Sequence, residues 1–209
     1  MLIIDKELFV GKGFHRECYQ HPQDHTKCLK ITFKQPKKGG KKGVAKALKR
    51  EVDQYKILNK RITDWSMLSN YYGEQETNLG KCSVFELIRD DNGQVSRSLE
   101  QYLLEPNLTE TELIQIKQCI PLLKAYLIKN NIITQKILAR NIVFQRSNTP
   151  FLVIIDDIGN SDFLPLANYV KTVGEKKINR IFSRFIKHLK NTYITERSPK
   201  KVNEMLRSL

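Results

Sequence analysis

Residues 11–31 read GKGFHRECYQHPQDHTKCLKI, and the fold turns on how this stretch is laid out. LFVGKG, ECYQHP and KCLKITF are short apolar or β-prone segments separated by Gly, Pro, Asp and His, the pattern of consecutive hairpins. Gly11 and Gly13 end the first predicted strand, where glycine lets a backbone approach a phosphate closely. A GxG alone is more commonly an ordinary tight turn. Lys30 adds weight, because it stands between Leu29 and Ile31 in a strand. A lysine so flanked either points to solvent from an edge or is held over an anion. Glu51, on a predicted helix, is placed to pair with it.

Outward from this stretch the pattern changes. KQPKKGGKKG, residues 34–43, has nothing to bury and reads as a mobile loop. From Val44 a helix is predicted, with Val44, Leu48, Val52, Tyr55 and Leu58 as its apolar stripe. Trp65, Tyr71 and Tyr72 are expected to pack near its end. SVFELI, 83–88, reads as a strand, and RDDNGQ after it as a turn and a lobe boundary. Thr109 and Glu112 fit a capping box, opening a helix with Leu113, Ile116, Ile120, Leu123 and Leu127 on one face. Pro121 should kink or interrupt that helix, and Asn130-Asn131 should stop it. NIVF and FLVII are strands around QRSNTP. A last long helix is expected from about Glu175 to Tyr193, with Ile178, Ile181, Phe182, Phe185, Ile186 and Leu189 on one face.

The composition sets bounds. A chain of 209 residues can bury a core as one domain or as two small lobes sharing a cleft. Its longest aliphatic-aromatic run, FLVII, is far too short to cross a bilayer, and a soluble cytoplasmic protein is expected. The net charge of +14 is uneven: +9 over residues 1–60 (15 basic, 6 acidic), −3 over 61–170 and +8 over 171–209. Basic ends around an acidic centre suit phosphate-rich partners: nucleotide, nucleic acid or an anionic membrane surface. Cys18, Cys28, Cys82 and Cys119 lack zinc-site spacing and read as free thiols, although Cys18 and Cys28 are placed to face each other across a hairpin.

A second chemical signal is IIDDIG, residues 154–159, a carboxylate pair and a glycine directly after an apolar strand. Asp-Asp-x-Gly also makes an ordinary turn. Beside NIVF it suggests more, since Asn141 and Asp157 become two hard oxygen ligands on neighbouring strands. Magnesium is commonly held by one or two such groups plus substrate phosphates.

The order of glycine turn, Lys30, Glu51, an apolar segment at Val84–Ile88, Asn141 and Asp157-Ile158-Gly159 resembles a eukaryotic-type protein kinase in reduced form. The opening stretch, the LIRD after Glu86, SLEQYL at 98–103 and NIVFQ at 141–145 are similar to the bacterial YrbL family of PhoP regulatory network proteins. The resemblance implies an α+β fold, with a β-rich N-lobe over residues 1–88 and a small, mainly helical C-lobe over 89–209. It implies ATP and Mg2+ in the cleft between them. Gly11 and Gly13 would cover the phosphates, Lys30 would contact them, and Glu51 would hold Lys30. The backbone from Glu86 to Ile88 would meet the adenine, and Asn141 and Asp157 would hold magnesium.

The same pattern requires a catalytic aspartate five residues before Asn141, and that residue is Lys136. An ammonium cannot accept a hydroxyl proton, and losing a positioned base costs about 10²–10⁴ in rate. Positioning and charge stabilisation carry most of phosphoryl transfer, so a slow reaction survives such a loss. The resemblance thus implies a pseudokinase or very slow phosphotransferase with a regulatory role and an unidentified protein or small-molecule acceptor. Two other readings stay open: an active small-molecule or envelope-sugar kinase, and a basic module binding nucleic acid or anionic surfaces. For the second, the basic face of the last long helix and KKGGKK are the candidate contacts, with a merely solvated face the commoner explanation.

Overall fold

The computed structural model describes residues 1–33, 40–162, 164–195 and 198–209, the side chains of residues 40 and 41 set aside. The expected hairpins are β1 (Phe9–Lys12), β2 (Arg16–His21) and β3 (Asp24–Thr32). With β4 (Tyr71–Thr77) and β5 (Gly80–Glu86) they form an antiparallel sheet in the order β1-β2-β3-β5-β4. Strand alternation sorts the side chains of β3. Leu29 and Ile31 join Tyr19, Cys82 and Val84 on one face, covered by Leu2 and Ile4 from the N-terminal segment. Cys28 and Lys30 point the other way, toward Phe85 and the rest of the molecule.

That inner face is covered by α1 (Gly40–Leu58). Tyr55 is its hub, with its ring 5.5 Å from both Tyr71 and Phe85 and stacked on Trp65 at 6.2 Å. Trp65 and Tyr71 therefore pack as expected, while Tyr72 is exposed. The helix begins four residues before Val44, so residues 40–43 are helical and not loop; residues 34–39 lie outside the described residues. The buried stripe also differs by one position. Glu51 is 4 % exposed whereas Val52 is only half-buried, because the inward position is taken by an ion pair.

Beyond β5 the chain is mainly helical: α2 (Leu99–Leu103), α3 (Glu110–Lys129), a hairpin of β6 (Ile142–Gln145) and β7 (Phe151–Ile154), α4 (Lys171–Tyr193) and α5 (Lys200–Arg207). The Thr109–Glu112 capping box forms as predicted, and an equivalent one from Ser98 and Gln101 opens α2. α3 runs through Pro121 as one helix, so the expected interruption there does not occur. Leu113, Ile116, Ile120, Leu123 and Leu127 hold it to a core shared with Phe182, Phe185 and Leu189 of α4 and Leu206 of α5. β4, α2 and α5 were not legible as elements: β4 alternates polar with apolar residues around Gly73, and the two helices are of five and eight residues.

α3 stops as expected at Asn130, and Asn131 turns the chain with a φ of 48°. Its side chain donates from Nδ2 to Ala167 O at 2.9 Å, and Oδ1 lies against Gly174 of α4. A Cβ at Gly174 would stand 1.8 Å from that oxygen and 2.8 Å from Ala167 O. Alanine is ordinarily the better helix residue by about 1 kcal/mol. Here the collision decides the sign, and Gly174→Ala is expected to destabilise by about 1–3 kcal/mol in chemical denaturation. An unchanged midpoint would show that Asn131 can swing aside.

Candidate functional site

Between the sheet's inner face and the helical part lies a cleft of 1170 Å³, lined by residues from β1–β3, α1, the segment after β5, and the loops before β6 and after β7. Gly11, Gly13, Lys30, Glu51, Glu86, Ile88, Lys136, Asn141 and Asp157 all line it. Positions up to 146 residues apart in sequence thus meet at one place.

The turn between β1 and β2 is closed by Gly13 N donating to Arg16 O at 2.8 Å. Neither glycine is required by what surrounds it. A Cβ would meet nothing within 4 Å at Gly11, and only Arg16 O at an ordinary 3.5 Å at Gly13. Arg16, immediately after the turn, opens β2 facing inward. Its Nη1 donates to Glu51 Oε2 at 2.7 Å, its Nη2 to Glu51 Oε1 at 3.2 Å, and Nη2 also to Asp156 Oδ1. Glu51 is thus held by Arg16 and not, as the sequence suggests, by Lys30. Lys30 Nζ instead donates to the Ile155 carbonyl and sits 4.2 Å from the Phe85 ring centroid. Arg16 faces Lys30's side of the sheet by strand alternation, since Cys18 pairs with Lys30 and Arg16 lies two residues earlier. A guanidinium placed inward demands a carboxylate; alternation within β2 marks Arg16 as inward but names neither of its partners.

Charge in this cluster is balanced: Arg16 and Lys30 against Glu51 and Asp156. Burial alone would lower the pKa of Arg16, but Asp156 and Glu51 outweigh it and hold it up. Burial opposes ionisation of Asp156 too, yet Arg16 and Lys30 keep it well below the usual carboxylate range. Glu51 goes the other way, raised by burial and by Asp156 despite Arg16, so it takes up a proton before Asp156 does.

The two aspartates of IIDDIG have separate surroundings. Asp156 belongs to the Arg16 cluster, whereas Asp157 faces Asn141, whose Nδ2 donates to Oδ2 at 2.6 Å. Lys136 Nζ stands 3.9 Å from the same oxygen, on a side chain 58 % exposed. The backbone holds this geometry firmly. Gln135 N donates to Asp157 O, Gly159 N to Ile133 O and Ile155 N to Asn141 O, which clamps the loop before β6 to the one after β7. Asp157 has φ of 63° and Gly159 φ of 139°, so an L-residue is held in the left-handed region at the mouth of the cleft. Burial and Asp156 raise the pKa of Asp157, against Lys136 and Asn141.

At the other end, Glu86 Oε2 accepts from Asn70 N and Nδ2, at 3.1 and 2.9 Å, which turns its side chain away from its own backbone. The Glu86 carbonyl accepts from Cys28 Sγ at 3.7 Å, and Ile88 O accepts from Ser96 N. Cys18 and Cys28 are free thiols on the cleft face, offset along the β2–β3 ladder because Cys18 pairs with Lys30 and Gln20 with Cys28. Cys28 favours Cys18 ionisation, with Lys30 and Arg16 assisting, and Cys28 itself is held as a thiol.

These features define a mixed α+β protein whose antiparallel sheet and helical part enclose a deep, charge-paired cleft. Its family is given by comparison with known proteins. The model of the family described as PhoP regulatory network protein YrbL matches residues 2–190, and the chain belongs to that family. It is similar to the uncharacterized protein YrbL of Escherichia coli (strain K12) and to that of Shigella flexneri. Each is 33% identical over 188 residues, covering 89% of this chain and 87% of the relative.

Proposed function

We propose that the cleft binds Mg-ATP in a reduced kinase-like arrangement with lobes 1–88 and 89–209, and that the protein is a pseudokinase or very slow phosphotransferase in a regulatory role. The observation that carries this reading is the meeting of Gly11, Gly13, Lys30, Asn141, Asp157 and Lys136 in one cleft. Glycines with open space beside them leave room for a ligand to approach the backbone closely, which the fold itself does not need. Lys30, held over a carbonyl and a ring face beside the Arg16 cluster, has no carboxylate at ion-pair distance among the described residues and is suited to phosphate oxygens.

The residues fit magnesium brought in with phosphates. Among the described residues no group of three or more His, Cys, Asp or Glu could hold a metal by itself. Asn141 Oδ1 and the Asp157 carboxylate supply two hard ligands, the usual protein share of a nucleotide-bound magnesium, and the ion-pair partner of Asp157, Lys136, is exposed and 3.9 Å away. When bound, the ion neutralises phosphate charge. Lys136 lies where a base would be needed, but as an exposed cation beside Asp157 it attracts phosphate and accepts no proton.

Thermal unfolding tests the reading. At 100 times its Kd, a ligand adds about 2.7 kcal/mol, or about 5–10 °C for a chain of this size. Wild type is expected to show this with Mg-ATP, and Lys30→Met and Asp157→Ala to lose most of it. No shift at saturating Mg-ATP would leave the cleft without its proposed ligand.

A further inference from the structure

A different surface carries charge and apolar exposure together. Between the loop after β7 and the first turn of α4, Leu164, Leu166, Tyr169, Val170 and Val173 are exposed, Leu164 to 65 % and Tyr169 to 71 %. These are large apolar side chains on neighbouring positions, where a chain folding alone ordinarily presents polar ones. The segment is anchored from below, since Arg61 Nη1 donates to Asn168 O and Nη2 to Asn131 O, both at 2.7 Å. Arg61, Lys129 and Lys171 line a hollow of 220 Å³ beside Tyr169.

Exposed cations extend the surface along the helix. Lys176, Arg180, Arg184 and Lys187 recur at spacings of three and four, so one side of α4 carries a basic stripe that continues from Val173. Glu175 is the exposed acid among them, and Asp162 is already paired with Lys177 at 2.6 Å. No helix among the described residues is long and apolar enough to cross a membrane.

We propose that this face, Leu164–Val173 with the basic side of α4, docks on an anionic lipid bilayer. Charge complementarity argues for that occupant. Lysines and arginines meet acidic headgroups while leucine, valine and tyrosine side chains enter the interface, where tyrosine is at home. Four of the five apolar residues stand on the short connection before α4, around a single 3-10 turn, and all five are exposed, with no groove between them among the described residues to receive a partner's side chain. A second copy of this chain would bring like charge against like. Nucleic acid would use the cations but gains little from leucine and valine, and one tyrosine is no stacking platform. The inference is independent of what fills the cleft.

Sedimentation of the full chain with phosphatidylcholine vesicles, with and without phosphatidylglycerol, tests it. Binding is expected only with phosphatidylglycerol and should weaken with salt. Each removed cation should lower the partition coefficient about fivefold, so Lys176→Ala/Arg180→Ala should lower it about twentyfold or more. Leu166→Asp/Tyr169→Asp should abolish the part of binding that survives salt. All four positions are exposed, and matched unfolding curves would show that the variants are folded. In wild type, hydrogen exchange should slow at amides of 164–173 when the anionic vesicles are added. Absence of binding at low salt overturns the proposal. So does binding unaffected by Leu166→Asp/Tyr169→Asp, which would mark adsorption of a basic protein, or DNA retention of equal strength with the same indifference.

Discussion

Arg16→Met is expected to lower the unfolding free energy by about 3–5 kcal/mol, the cost of breaking a buried ion pair by removing one partner. The guanidinium's side chain is 9% exposed, and it is the shared donor to Glu51 and Asp156. Methionine fills much of its volume but leaves two carboxylates facing each other with Lys30 alone to offset them. The melting temperature should fall by about 10 °C or more. The deficit should also depend on pH in a definite direction. Without Arg16 both carboxylates have folded-state pKa values above their ordinary ones, so the folded variant binds more protons than the unfolded chain. Its stability is then greatest below the ordinary carboxylate pKa and is lost as pH rises. The gap from wild type should therefore narrow toward about pH 4. Urea denaturation at neutral and acid pH checks both points. A gap that is small, or that widens in acid, would mean that the cluster is solvated.

Lys136→Asp should raise phosphotransfer by about 10²–10⁴ if a missing base is what limits the reaction. The substitution replaces a cation 3.9 Å from Asp157 Oδ2 with a third carboxylate. That adds a hydroxyl-proton acceptor and strengthens the demand for a divalent cation. Product formation from ATP in wild type and variant, with magnesium varied, is the measurement. A rise with steeper magnesium dependence supports the reading of an otherwise competent site. Wild-type turnover at ordinary kinase rates would dismiss the pseudokinase reading. No gain in a variant that still binds Mg-ATP would place the obstacle elsewhere, with Lys30 at the Ile155 carbonyl the first place to look.

Much of this architecture was readable because period and punctuation agree in the chain. The apolar stripe of α3, its Thr109–Glu112 cap and its Asn130-Asn131 stop all report the same helix, and the fold realises them. β4 failed the same test, since alternation around Gly73 offers neither a clean apolar face nor a turn signal. In the cleft, Lys30, Asn141 and Asp157 stood out by residue type and spacing. Arg16 and Asp156 did not, because an ion pair spanning 140 residues leaves no periodic trace. Glu51 lines the cleft, but its partner is Arg16 where the sequence suggests Lys30. A lysine in an apolar strand advertised itself, whereas an arginine beside a glycine turn carries no role that residue type and spacing alone define.

Arg16 also has a mechanical meaning. Three stretches of chain converge on one planar group: the strand leaving the glycine turn, the middle of α1, and the residues just after β7. The turn is consequently not an independent flap that lifts while the floor stays still. Raising it enough to free the guanidinium exposes two carboxylates on two other elements at the same moment, so turn, helix and floor yield together or not at all.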